Sequence, residues 1–312
     1  MADKRATREA FGETLIELAR EGRDDIVALD ADLAKSTTTA KFAAAFPGRF
    51  FDVGIAEANM IDTAAGLAAE GKTAFTGSFA VFATGRAYDQ VRNTVCYSDL
   101  SVKICPTHAG VTVGPDGGSH QMLEDIALMR VLPRMRVLVP ADFNAARGAI
   151  RVAASTPGPF YVRLGRATLP AVHPDDFVFE LGRAYVLREG ADVTLVACGV
   201  MVERALAAAE LLAAEGVSAE VIDAATVKPL DADTIVGSAA KTGAVVACEE
   251  HSIIGGLGSA VAEVLGERQP TKLARVGVRD TFGTSGDPEE LMRYFGLTAA
   301  DVAEAARGLL RG

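Results

Sequence analysis

Apolar residues recur at helical spacing over residues 6–20, where Ala10, Phe11, Leu15 and Leu18 fall on one face. A short apolar run at 26–29 follows and stops at Asp30, the pattern of a strand buried on both faces of a parallel sheet. Comparable runs lie at 49–53, 73–76, 102–105, 137–139 and 160–163, and Ala-rich helical stretches at 57–70 and 142–154 separate several of them. Alternating strand and helix predict a parallel sheet covered on both faces, with its chemistry in the loops beyond the carboxyl ends of the strands.

The rhythm breaks after Arg166. Residues 167–190 carry Pro170, Pro174 and little periodicity, which predicts a connecting segment. A second run then starts, with strands at 191–198, 218–224 and 243–250 and helices at 202–215, from Asp231 and from Leu257. The expected fold class is α/β, two consecutive three-layer domains with mostly parallel sheets. The first spans 1–170, a linker spans 171–190 and the smaller second domain spans 191–312.

Composition narrows the function classes. A net charge of −10 with thinly spread Lys and Arg argues against nucleic acid and against anionic membranes as partners. No apolar stretch approaches bilayer length, and the first residues have no apolar signal core. The four cysteines, Cys96, Cys105, Cys198 and Cys248, show no CxxC pairing and suit buried thiols in a reducing compartment, so a cytoplasmic location is expected.

Three segments carry candidate chemistry. In 50–66 a strand ends at Asp52-Val53, a glycine turn follows and Glu57 opens a helix. Taken alone, Glu57 reads as an acid placed favourably at a helix start. In 77–93 Phe79 and Phe82 sit in a glycine-bounded turn ahead of a helix, either as core or as a pocket for a flat ring. The third segment, 107–125, holds His108, Asp116 and His120 among Gly114, Gly117 and Gly118, a loop suited to wrapping a ligand. Its spacing matches no zinc pattern, so no metal site is expected on this chain.

Together these segments resemble the transketolase family, essentially end to end. The resemblance rests on the Glu of Gly54-Ile55-Ala56-Glu57, on the aromatic turn followed by residues 86–90 (RAYDQ), and on the loop closing in residues 116–121 (DGGSHQ). Residues 249–263 (EEHSIIGGLGSAVAE) resemble the family's final domain. The implied domains are therefore the pyrimidine-binding domain and the transketolase C-terminal domain.

The resemblance implies a cofactor, thiamine diphosphate, and roles for individual residues. Glu57 would support the imino tautomer of the aminopyrimidine, in a setting where desolvation keeps its proton shared. Phe79 and Phe82 would stack on the pyrimidine, and Asp32 would lie close to the cofactor. His108 and His120 would face the ketose hydroxyls as catalytic groups, and Asp116 would bind one hydroxyl. Arg166 would grip the sugar phosphate with Ser36 at the same end, Arg163 being the other arginine in reach by sequence.

One pattern of the family is missing. Its other nucleotide-like domain binds Mg2+ and the diphosphate through a GDG motif and a later Asn, and no GDG occurs in this sequence. The ligands of Mg2+ are therefore expected on a partner chain, an N-terminal diphosphate-binding subunit, in an assembly of two small and two large subunits acting on sugar phosphates. The expected activity is transfer of a two-carbon ketol unit, catalytic only with that partner. The alternatives are the β subunit of a 2-oxo-acid dehydrogenase, a deoxyxylulose-phosphate-synthase-like subunit, and a non-catalytic protein that has kept the fold.

Overall fold

The computed structural model describes residues 4–311. Strands Phe50–Asp52, Ile26–Asp30, Thr73–Thr76, Val102–Ile104, Phe160–Val162 and Arg136–Leu138 run parallel, in that spatial order, in one sheet. Successive side chains of a strand point to opposite faces, and the core divides accordingly. Ile26 and Ala28 pack under helices Glu9–Arg20 and Phe143–Ser155, while Val27 and Leu29 pack under helix Glu57–Ala69. Every residue of Ile26–Asp30 is buried, which is why this strand reads as an unbroken apolar run. Phe50–Asp52, at the sheet edge, keeps Phe51 and Asp52 exposed.

Capping fixes the helix starts. Asp142 accepts the Ala145 N–H at 2.7 Å ahead of Phe143–Ser155, and Asp231 accepts that of Thr234 at 3.1 Å ahead of Ala232–Thr242. The helix expected after Phe79 forms with two wide π-type turns, Phe82–Arg86 and Gln90–Cys96. Lys103, in the middle of the first sheet, is fully buried. Its Nζ donates to the carbonyls of Thr156 at 2.8 Å and Gly158 at 2.6 Å, and burial pulls its pKa down to about 7.

The second sheet runs Lys272–Val278, Ala244–Ser252, Val193–Ala197 and Ala219–Asp223 in parallel, with helices Met201–Ala213 and Ala299–Arg311 on one face. Two features depart from the expected boundaries. The segment 171–190 is not a plain linker, because Tyr185–Arg188 pairs antiparallel with Ala219–Asp223 as the edge strand of this sheet. Thr226–Lys228, between two elements of the second sheet, crosses back and pairs antiparallel with Arg136–Leu138 in the first. One apolar cluster consequently runs through both units, from Val27 and Met60 to Val196, Ile222 and Val261.

Cys96, Cys105, Cys198 and Cys248 are all free and buried. Among the described residues no helix is long and apolar enough to cross a membrane.

Candidate active site

The entry to helix Glu57–Ala69 is set by one carboxylate. Asp52 Oδ1 accepts the backbone N–H groups of Asp32 and Gly54, each at 3.0 Å, pinning the two strand ends beside each other. Gly54, at φ +72°, turns the chain so that Glu57 becomes the first helical residue, where the helix dipole favours negative charge. Glu57 is 4% exposed. Its Oε1 accepts from Arg86 Nη1 at 3.1 Å, and Oε2 makes no hydrogen bond among the described residues.

Aromatic rings continue from that pair. The Arg86 guanidinium lies 4.1 Å from the Phe82 ring centroid, and Phe82 and Phe79 are near-parallel, at 5.9 Å and 14°. Phe79 stacks on His108 at 3.8 Å, and His120 stands edge-on to Phe82 at 5.4 Å. Three separate segments thus bring Glu57, Phe79, Phe82, His108 and His120 together at one place.

His108 adopts φ +61° and is buried. Arg8 Nη1 lies 3.3 Å from its Nε2, and a guanidinium has no lone pair to offer, so Nε2 is the acceptor. The proton then sits on Nδ1 and is donated to Thr107 Oγ1 at 2.7 Å. Burial, followed by the charges of Arg8, Arg166 and His120, lowers the His108 pKa to about 3. The imidazole is neutral at physiological pH.

Arg8 is the residue the sequence reading missed. It stands at the cap position of helix Glu9–Arg20, where the dipole opposes a cation. That mismatch is the signal the sequence carries for Arg8. Arg8 Nη1 also donates to the Ser36 carbonyl at 3.0 Å, and its Nε is buried without a partner. Burial and the neighbouring charge of Arg166 depress its pKa. Arg166 donates to the Val113 carbonyl at 3.1 Å and lies 3.4 Å from Asp116 Oδ2. Arg8 thus links Ser36 to His108, and Arg166, whose charge acts on both Arg8 and His108, pairs with Asp116.

Arg163 is not available to a phosphate. It is buried against Asp125, with Nε–Oδ2 at 2.7 Å, and donates Nη2 to the carbonyls of Met122 and Glu250. Asp32 is exposed at φ +63°, and its carboxylate makes no hydrogen bond among the described residues. Its neighbour Asp30 is buried, accepting the hydroxyls of Thr37 and Thr39 at 2.7 and 2.8 Å, a strand-end role.

The glycines of the histidine loop serve a contact that sequence could not show. A Cβ on Gly118 would stand 2.5 Å from the Gly283 carbonyl oxygen. Gln121 Nε2 donates to the Thr284 carbonyl at 2.9 Å. The loop expected to wrap a ligand lies against a segment of the second unit, and its small residues make that approach possible.

Comparison with known proteins agrees with this geometry. Residues 3–172 match the family model for the transketolase pyrimidine binding domain, and residues 182–302 match that for the transketolase C-terminal domain. The chain belongs to the transketolase family. It is 48% identical to a putative transketolase C-terminal section of Methanocaldococcus jannaschii, over 95% of this chain and 94% of that protein. It is also 48% identical to a 6-deoxy-6-sulfo-D-fructose transketolase subunit of a Clostridium species, over 96% and 92%. A solved split-gene transketolase, an inactive β4 tetramer, superposes with a TM-score of 0.91 at 52% identity over 99% of both chains.

This is a transketolase-type transferase subunit, and its family works with thiamine diphosphate. The side chains fit the pyrimidine half of that cofactor. Glu57 is a buried carboxylate with an unpaired oxygen, and Phe79 and Phe82 present a flat apolar stack beside it. Among the described residues no group of three or more His, Cys, Asp or Glu side chains is placed to hold a metal ion.

Proposed function

We propose that this chain is the small subunit of a two-part transketolase that moves a two-carbon ketol unit between sugar phosphates. The observation that carries the reading is the continuous surface from Glu57 through Phe82, Phe79 and His108 to Arg8, which joins a cofactor-activating acid to an anion site. When bound, thiamine diphosphate supplies the nucleophilic carbon that takes up the ketol unit.

The chain's own residues do the rest. Glu57 would hydrogen-bond the pyrimidine ring nitrogen through the oxygen that Arg86 leaves free. Phe79 and Phe82 hold the ring and exclude water. Asp32, pinned beside Gly54 by Asp52, borders the cofactor. His108, as a neutral imidazole, and His120 face the ketose hydroxyls, and Asp116 binds a hydroxyl. Arg8 and Arg166, with Ser36, take the terminal phosphate, whose charge compensates two neighbouring cations. A sulfonated ketose is a second reading, favoured by the Clostridium relative, because the same guanidiniums suit either anion.

Mg2+ and the diphosphate are assigned to an N-terminal partner subunit, which carries the GDG-type ligands this sequence lacks. Two small and two large subunits complete two sites. Four buried free thiols support a cytoplasmic location. Reconstitution with the partner, thiamine diphosphate and Mg2+, assayed with ketose-phosphate donors and aldose-phosphate acceptors, tests the reading. Ketol transfer is the expected result, and 2-oxo-acid decarboxylation in its place would overturn it.

A further inference from the structure

The loop carrying His108, Asp116 and His120 hangs from the first sheet, yet a carboxylate of the second sheet holds it. Near the end of strand Ala244–Ser252, Glu250 is 5% exposed, and its Oε1 accepts the backbone N–H of Thr112 at 2.6 Å. A Cβ at Gly110 would stand 2.2 Å from the Glu250 carboxyl carbon, so the loop closes fully on that group. The two ends of the loop are also tied to each other, Gly110 N–H donating to the Met122 carbonyl at 2.9 Å. Arg163 completes the clamp by donating to the carbonyls of Met122 at 3.2 Å and Glu250 at 3.0 Å while paired with Asp125.

The Glu250 carboxyl is buried with two polar neighbours, the Thr112 N–H and the Arg163 guanidinium 4.0 Å from its Oε2, and burying it still costs desolvation that an apolar side chain would not incur. Among the described residues no hydrogen bond or ion pair joins Glu250 to a residue assigned to cofactor or sugar. What it determines is where the loop sits. We propose that Glu250 is a positioning residue for sugar binding, holding Thr112 and through it the segment that presents His108, Asp116 and His120. The proposal rests on the reading of that segment as the sugar site.

The test compares Glu250→Ala, which removes the acceptor, with Glu250→Gln, which keeps one, in the full chain and in its complex with the partner and thiamine diphosphate. Amide hydrogen exchange over residues 110–121 should rise about ten- to a hundredfold in Glu250→Ala, with a similar rise in sugar KM. The cofactor Kd should stay within about threefold, because the displaced loop carries none of Glu57, Phe79 and Phe82. Glu250→Gln should resemble the wild type in both readouts. Unchanged exchange and KM in Glu250→Ala, or an equal defect in Glu250→Gln, would overturn the proposal. If Glu250→Ala does not fold, Gly110→Ala moves the loop while keeping the carboxyl, and an unchanged KM there overturns it equally. The exchange measurement needs neither partner nor substrate. A loosened loop in Glu250→Ala alongside a wild-type complex without ketol transfer would sink the transketolase reading and leave the clamp standing.

Discussion

Arg86 donates to Glu57 across 3.1 Å while its guanidinium covers the Phe82 ring. The acid assigned to the cofactor and an aromatic assigned to its ring are thus joined through one cation before any cofactor arrives. The Arg86 side chain is 55% exposed, so the pair is screened and contributes about 1 kcal/mol or less to stability.

Glu57→Ala should therefore fold with nearly wild-type stability and lose activity. Acid–base support of this kind contributes about 10²–10⁴-fold, and kcat of the reconstituted enzyme should fall by at least that factor. Turnover near the wild-type value at saturating cofactor would remove Glu57 from its assigned role.

Arg8→Ala and Arg166→Ala should each raise KM for phosphorylated sugars about ten- to a hundredfold, with a much smaller effect on unphosphorylated analogues. Arg163→Ala should behave differently. It strands the buried Asp125 carboxylate, and urea unfolding should show a loss of about 3–5 kcal/mol. A stable Arg163→Ala protein with a selective defect toward phosphorylated sugars would reverse these two assignments.

Acid should destabilise the chain partly through His108. Its pKa is about 3 in the folded state against 6.5 for a free imidazole, so both states are neutral above about 6.5. As pH falls from there toward 3, the unfolded chain takes up a proton that the folded chain refuses, and stability drops. His108→Asn should lose less stability over this interval than the wild type in denaturant titrations. An identical pH slope would contradict a buried neutral imidazole.

Lys103 acts in the alkaline range with the same sign. Its folded pKa of about 7 lies below the ordinary 10.5, so the folded state pays for the charge below pH 7 and is relieved as pH rises toward 10.5. The buried thiols oppose this trend, because unfolded cysteines ionise in the same range. The informative quantity is the stability of the wild type relative to Lys103→Met at pH 7 and at pH 9.5, which should shift in favour of the wild type. No shift would place the ammonium in contact with water.

The chain alone should neither turn over sugar nor bind thiamine diphosphate at micromolar concentration. Several cofactor charges would meet a protein of net charge −10 without their Mg2+ ligands. Calorimetric titration of the partner, with Mg2+ and cofactor present, should show binding and activity appearing together. Micromolar binding by the chain alone would defeat the two-subunit reading.

The alternation of strands and helices was legible in the sequence because parallel strands buried on both faces, such as Ile26–Asp30, must be apolar throughout, and helices such as Glu9–Arg20 must repeat at their own period. Glu57, Phe79, Phe82, His108 and His120 could be named as candidates because short local patterns carry them, each in the loop or helix start that follows a strand. Contacts between remote segments leave no such pattern. Only the folded chain paired Thr226–Lys228 with the first sheet, and only it turned Tyr185–Arg188 from connecting segment into edge strand. The same holds for side chains. Arg163 and Arg166 are three residues apart and equal in charge, but one meets Asp125 in the core and the other reaches the exposed Asp116. Arg8 is brought to His108, and Glu250 to Thr112, across 100 and 138 positions of chain. Helical and strand periods report a residue's neighbours within one element, whereas these pairings depend on how the two sheets pack, and packing alone decided them.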